Sequence, residues 1–407
     1  MKTITVVGGR SLFGSVFVQG SKNAALPIIF ATLITNGVSK IRHLSDIGDV
    51  RVALDIIREL GARVQYSGGT AYIDTRMLTY REVSEDKISK IRASTYLLGS
   101  MLSRFGKCTI SSFGGCAFSH RPIDMHVDAC LAFGGELRDR EIVAQKLRAA
   151  DISFKKCSVG ATINAIILAA AADGVSVIRG HAREPHVHAL IDFLSSAGAQ
   201  ISVTDDKITV EGRELHGGNI TVIGDMIEAG TYLAAGLVTG GEVSVIGAQG
   251  DDLASYIDAL GKLGAESLVR GSIISARLGD AQSYVKIAAE PYPAFPTDLQ
   301  PIIAPLLAIC RGGEIRDGVW EGRYGYLSSL ARFGVRYRVR NGCAYIEKSE
   351  IHPADTVAPD LRGGMAALLL ALRARGVSRI ENAEQILRGY ENLIMKLSSL
   401  GADISID

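Results

Sequence analysis

Six times along this 407-residue chain a helix-like segment stops at a glycine: Gly61, Gly134, Gly198, Gly264, Gly334 and Gly401. The intervals are 73, 64, 66, 70 and 67 residues. A period of that length fits a supersecondary unit holding both helices and strands, so the chain reads as six copies of one unit. One core seldom keeps growing across a chain this long, and three units in each of two domains is the simplest division.

The first unit shows the pattern. Residues 3–7 and 13–19 alternate like short strands, and Gly20-Ser21-Lys22-Asn23 leads into the apolar run 24–34, with Ser21 placed to cap a helix. Asn36-Gly37 supplies a turn, and 38–41 reads as a strand. Leu44, Ile47, Val50, Ala53, Ile56 and Ile57 then recur as the inner face of a helix ending at Gly61. A hairpin follows over 62–65 and 71–74, through Ser67-Gly68-Gly69. First helices of the later units are expected near Arg92, Gly160, Ile227, Asp298 and Asp360. They are apolar enough for burial on most sides, whereas the second helices are amphipathic and suit an outer layer. The layout expected is helices inside and sheets around them. Helix N-termini meeting in one region would attract a polyanion.

Composition narrows the partners. Lys plus Arg is 44 against 43 for Asp plus Glu, so the net charge of +1 points to neither nucleic acid nor a membrane surface. The start, Lys2 followed by Thr-Ile-Thr-Val-Val, is too alternating for a signal peptide, and the apolar run 165–172 is far short of a span. A cytoplasmic protein is expected, with monomer as the default. Cys108, Cys116, Cys130, Cys157, Cys310 and Cys343 form no CxxC pair and no ligand-like cluster with histidines, which argues against structural zinc and disulfides.

The sharpest local signal is Gly114-Gly115-Cys116-Ala117-Phe118-Ser119-His120-Arg121-Pro122. A cysteine in a glycine-rich loop beside His120, Arg121 and His126 is either a reactive or acid–base thiol or a half-buried one in a turn. Lys22 and Asn23 open a buried helix, so the ammonium faces a cleft and an anion or else solvent. Arg92 and Arg362 occupy similar positions in units two and six. Phe295-Pro296-Thr297 precedes Asp298, so Thr297 or Asp298 caps a helix, or Asp298 is a base kept ionised by Lys22, Arg121, Arg362 and Arg388. Lys156 with Ser158-Val159-Gly160-Ala161-Thr162 is a small-residue turn that can cradle phosphate; it is neither GxGxxG nor a P-loop. Trp320 before Glu321-Gly322-Arg323 either packs or stacks.

Together these segments resemble a known family. Gly20-Ser21-Lys22-Asn23-Ala24-Ala25, the Cys116 loop ending at Arg121-Pro122, and Ser158-Val159-Gly160-Ala161-Thr162 are similar to motifs of the UDP-N-acetylglucosamine enolpyruvyltransferases. So are Ala182-Arg183-Glu184-Pro185, Ile227-Glu228-Ala229-Gly230-Thr231, Phe295 to Gln300, Asp360-Leu361-Arg362 and Arg388-Gly389-Tyr390-Glu391. The wider family includes the enolpyruvylshikimate phosphate synthases, and the ordered matches span essentially the whole chain.

The resemblance implies a two-domain inside-out α/β barrel of six βαβαββ-type units. A discontinuous domain, 1–21 with 224–407, would carry Asp298, Arg362 and Arg388, and an inserted domain, 22–223, would carry the Cys116 loop. It implies transfer of the enolpyruvyl group of phosphoenolpyruvate to the 3-hydroxyl of UDP-N-acetylglucosamine with release of phosphate, the first committed step of peptidoglycan precursor synthesis. Lys22, Arg121 and Arg388 would bind phosphoenolpyruvate, with Arg92 and Arg362 completing a cationic lining. Cys116 would act as general acid or form an adduct, Asp298 would be the base, and Asn23 would hold the hydroxyl. Ser158, Val159, Gly160 and Lys156 would meet the nucleotide diphosphate, with His126, Arg323 and Asp360 among the substrate-binding residues. No metal or organic cofactor is called for. The sequence departs from the family at Phe118-Ser119-His120, at Gly322 where an asparagine is usual, at Leu387 in place of aspartate and at Ile163 in place of glutamate. The phosphoenolpyruvate set is kept while the acceptor set is altered, which raises a relative acting on another nucleotide sugar or nucleoside as an alternative.

Overall fold

The computed structural model describes residues 2–111, 113–114, 122–279 and 282–407. Cys116, His120 and Arg121 lie outside them. The described residues fall into two compact units, one of residues 2–19 and 224–407, the other of 20–114 and 122–223.

The repeat expected from the glycines recurs in the backbone. Outer helices Gly48–Glu59, Asp124–Ala132, Pro185–Ser196, Ala254–Lys262, Leu327–Ala331 and Leu393–Ser399 are each followed closely by one of the six. Their φ values run from +95° to +108°, where a side chain on an L-residue is strained. At five of the six, the next N–H bonds back to the carbonyl five residues earlier, as Ala62 to Ile57 and Ala402 to Leu397 (both 3.0 Å). This is the Schellman closure of a helix end, and it turns the chain into the hairpin that follows.

Five sheets share one plan: two antiparallel pairings and one parallel edge strand. In the 224–407 unit, Phe13–Phe17 lies parallel to Glu242–Ile246, which pairs antiparallel with Ile273–Leu278, and that with Ala265–Arg270. Val285–Ala289, Gly313–Asp317, Cys343–Ile346 and Tyr337–Arg340 repeat the order. The last copy is completed from the far end of the chain, because Ile4–Gly8 stands between Gly376–Glu381 and Asp403–Ile406, with Ile4 opposite both Ile380 and Ile406. In the other unit Asn219–Thr221 supplies the parallel strand to Val38–Arg42, and Asp151–Ser153 does so for Val175–Arg179. The sixth sheet, Lys107–Thr109, Glu141–Val143 and Glu136–Arg138, has antiparallel pairings only among the described residues.

Inside each unit the apolar helices lose nearly all contact with water. Residues 227–239 of Met226–Thr239, 300–308 of Gln300–Ile309 and 361–372 of Leu361–Arg373 are buried, and these three helices pack on one another. Lys22–Ala31, Leu97–Phe105 and Val159–Ala171 form the corresponding core of the other unit. Truncating one such leucine or isoleucine to alanine costs roughly 2–5 kcal/mol. Two helices start later than the sequence suggests. Arg92–Tyr96 and Thr297–Leu299 are 3₁₀ turns, so the α-helices begin at Leu97 and Gln300. Among the described residues no helix is long and apolar enough to cross a membrane.

Candidate active site

In the 224–407 unit the N-terminal turns of the inner helices carry a charged cluster. Asp298 sits in the 3₁₀ turn ahead of Gln300–Ile309, and Arg362 is the second residue of Leu361–Arg373. The N-cap positions of the turn and of the helix fall to Pro296 and Leu299, neither of which makes a side-chain cap bond. The Asp298 carboxylate accepts instead from Arg323 Nη1 at 3.0 Å on one oxygen and from Arg362 Nη2 at 3.2 Å on the other. Opposite charge on both oxygens favours the anionic form of a carboxylate. Arg323 and Arg362 are almost wholly buried, so each guanidinium needs such partners to offset its lost hydration.

Neighbouring groups hold the two arginines in place. Arg362 Nη1 donates to Tyr390 Oη (3.1 Å), which pairs with Thr231 Oγ1 (2.9 Å), and Thr231 donates to the Ile227 carbonyl (2.7 Å). Arg362 Nε is buried without a hydrogen-bond partner among the described residues. Arg323 Nη1 also donates to the Thr297 carbonyl (3.0 Å) and hydroxyl (2.9 Å). Thr297 in turn donates to Asp317 (2.6 Å), whose other oxygen accepts the Val319 and Trp320 N–H groups. Asp317 therefore organises the turn that delivers Arg323, and burial pushes its own carboxyl up. Beside Arg323, a side chain at Gly322 would meet no atom within 4 Å. Asp360 caps its helix, accepting the Arg362 and Gly363 N–H groups at 2.9 Å each, so it fixes the start of the helix bearing Arg362. Arg388 follows the short helix Glu384–Leu387 and is half-buried.

The 20–223 unit carries the other set. Lys22 is the first residue of its helix, capped by Ser21, and its Nζ lies 3.3 Å from Asp49 Oδ2. Both side chains are largely buried, at 13% and 7% exposure, so Asp49 is part of what keeps an ammonium there. Asn23 is next in the same helix; Pro27 lacks an N–H, which leaves the Asn23 carbonyl without its i+4 donor. Arg92 Nη2 reaches the Pro122 carbonyl at 3.4 Å. Ser158 caps Val159–Ala171 by accepting from Ala161 N (3.3 Å), with Lys156 exposed just ahead. His126 lies against the start of this helix so closely that a Cβ at Gly160 would collide with its ring. Burial, then the nearby Arg92 charge, brings the imidazole down to about 4, so it is neutral at pH 7. Ile163 is wholly in the core, while Asn164 ties helices together through Gly99 N (2.8 Å) and the Thr95 and Gly160 carbonyls (3.2 Å each).

Among the described cysteines, burial pushes Cys108 up to about 12, Cys157 and Cys310 to about 11, and Cys130 well above its ordinary value. These are poor nucleophiles. Sequence reasoning did not single out Asp49 or Tyr390 as individual residues. The available signal for Asp49 was an acidic residue in the first turn of an amphipathic helix.

Comparison with known proteins places these residues in a family. The family model for EPSP synthase (3-phosphoshikimate 1-carboxyvinyltransferase) matches residues 6–397. UDP-N-acetylglucosamine 1-carboxyvinyltransferase 2 of Caldanaerobacter subterraneus subsp. tengcongensis is 37% identical over 413 residues, covering 99% of each chain. UDP-N-acetylglucosamine 1-carboxyvinyltransferase 1 of Streptococcus agalactiae is 37% identical, covering 100% of this chain and 99% of its own. Among solved structures, the enolpyruvyl transferase NikO from Streptomyces tendae superposes with a TM-score of 0.90 at 26% identity, over 100% of this chain and 98% of that one. EPSP synthase from Acinetobacter baumannii shares the fold, with a TM-score of 0.73 at 15% identity over the whole of both chains. The chain therefore belongs to the EPSP synthase family of carboxyvinyl-transferring enzymes.

Proposed function

We propose that this enzyme transfers the enolpyruvyl group of phosphoenolpyruvate to a hydroxyl of a UDP-sugar, releasing phosphate, and that the acceptor is the 3-hydroxyl of UDP-N-acetylglucosamine. The observation that carries the reading is Asp298 held between two buried arginines, in a chain that matches carboxyvinyltransferases along its full length.

The chemistry suits that arrangement. A proton from a general acid, assigned to Cys116, goes to the methylene carbon of phosphoenolpyruvate and leaves an oxocarbenium-like centre at C2. The sugar oxygen attacks that carbon and loses its proton to Asp298. A carboxylate clasped by two guanidiniums is a weak base, but the hydroxyl proton becomes acidic only as its oxygen bonds to the cationic carbon, so a fixed anion suffices. Loss of phosphate from C2 and of a proton from the new methyl group then restores the vinyl ether. Lys22, Arg121 and Arg388, with Arg92 and Arg362, would meet the carboxylate and phosphate of the donor. Ser158, Val159, Gly160 and Lys156 would meet the diphosphate, with the neutral His126 packed beneath. Asn23 would orient the hydroxyl.

A second reading, a different nucleotide acceptor, has one observation in its favour: the exposed turn directly before Arg323 carries the bare Gly322, where an asparagine is usual in the family. The deciding experiment is phosphate release from phosphoenolpyruvate with a panel of acceptors. The proposal expects UDP-N-acetylglucosamine to support the fastest release. Faster release with another UDP-sugar or a nucleotide would move the acceptor assignment, and no release with any of them would overturn the reaction.

A further inference from the structure

Gln19 belongs to no part of that mechanism, yet it is 2% exposed and every polar group it carries is engaged. It is the last residue of its unit before the chain passes to Gly20 in the other. Its N–H donates to Glu228 Oε2 at 2.5 Å, and its carbonyl accepts the Asp225 N–H at 2.9 Å. Glu228 is itself buried and paired with Lys396 at 2.8 Å, so the main chain here is seated on an ion pair. The side-chain amide grips a different segment. Nε2 donates to the Gly389 carbonyl (2.9 Å), and Oε1 accepts the Glu391 N–H (2.6 Å).

Those two bonds span the segment Arg388-Gly389-Tyr390-Glu391. Arg388 precedes the first anchor, and Tyr390, which hydrogen-bonds Arg362, sits between the two. A carbonyl only accepts and a backbone N–H only donates, so the amide has one permitted orientation. Of the side chains of this length, glutamine alone offers a donor and an acceptor on one planar group without first taking up a proton. Glutamate lacks the N–H and would set a second carboxylate near Glu228; methionine lacks both. The bond to Gly389 is fully buried, so that carbonyl has no water to replace a lost partner, while the bond from Glu391 is part-buried.

We propose that Gln19 is a positioning residue, whose amide fixes the Arg388–Glu391 segment and with it the guanidinium of Arg388 and the Tyr390 support of Arg362. The functional part rests on the phosphoenolpyruvate reading above. In the wild-type protein, hydrogen exchange at the Glu391 amide should be slow, like that of core amides; exchange as fast as in an exposed loop overturns the clamp. Gln19→Met should raise KM for phosphoenolpyruvate roughly tenfold or more, while KM for the UDP-sugar stays within about twofold. Gln19→Glu should act in the same direction. A merely structural role would lower thermal stability and leave both KM values alone or move them together, and either result overturns the proposal. If wild-type protein releases no phosphate from phosphoenolpyruvate with any UDP-sugar, the reaction assignment fails by itself, and the exchange rate of Glu391 then decides the clamp.

Discussion

Two regions, the Asp298 cluster of one unit and the Gly160 turn of the other, hold their candidate residues by different physical means. Around Asp298 the groups are charged, buried and mutually bonded at 3.0–3.2 Å, so the frame exists before any substrate arrives. Around Gly160 the parts are small or neutral: a capped helix start, a glycine kept bare by an imidazole, and a histidine without charge at pH 7. Burying a cation demands a permanent counter-charge, whereas a helix end leaves N–H groups available to an incoming anion. The Asp298 cluster is thus built to hold charge in place and the Gly160 turn to leave room for it, while Lys22 and Asp49, in the same unit as Gly160, form a largely buried ion pair of the first kind.

The harshest test of that contrast removes the counter-charge. Asp298→Asn keeps the shape but leaves Arg323 and Arg362 without their shared anion, and turnover should fall by at least about a hundredfold. Binding of the UDP-sugar, followed by calorimetry, should persist. Turnover near that of the wild type would assign the frame to stability alone.

Acid and base should act on the two units in opposite directions. Folded His126 is neutral down to about 4, whereas its unfolded counterpart takes up a proton near 6.5, so the 20–223 unit loses stability as pH falls through that window, by up to about 3 kcal/mol. Burial pushes folded Glu228 up to about 7 from an ordinary 4.5, with Lys396 opposing the shift. The protonated form is therefore favoured by folding: its contribution is fully present below 4.5 and is lost as pH rises through 7, again by about 3 kcal/mol at most. Trp320 is the only tryptophan and belongs to the 224–407 unit, so urea unfolding followed by its fluorescence should show a higher midpoint at pH 5 than at pH 7. Exchange protection of the Val159–Ala171 amides should weaken over the same change. Parallel responses would dissolve the distinction.

The smallest effect concerns what the units share. Gly401→Ala forces a side chain onto φ +103° with no close contact, the Ser11 carbonyl being 4.0 Å away, and should cost about 1 kcal/mol in chemical unfolding. At Gly61 φ is +97°, but the added carbon would also press on the Met77 carbonyl at 3.0 Å, so Gly61→Ala should cost more. Equal costs would mean that backbone conformation alone sets the requirement.

The repeat was legible because one backbone need recurs: a positive φ after each outer helix leaves a glycine in the sequence every time. Helix starts were less so, since Arg92 and Asp298 open 3₁₀ turns that share the apolar pattern of the helices behind them. Of the site, Lys22, Asp298 and Arg362 stand out as charges at the mouths of apolar runs. Their partners do not. Arg362 lies 64 positions from Asp298, and its residue type says nothing about which carboxylate it meets. The clamp of Gln19 was hidden more deeply, because its side chain bonds to backbone groups some 370 residues away, and backbone groups are alike at every position.

The strand Ile4–Gly8 has a consequence for synthesis. Both of its neighbours, Gly376–Glu381 and Asp403–Ile406, are made about 370 residues or more after it. A nascent chain therefore carries an unpaired strand while those intervening residues are made, whereas the described strands of residues 20–223 have their partners within that segment. The 20–223 unit should assemble first, with Ile4–Gly8 docking after Gly376–Glu381 and Asp403–Ile406 are made.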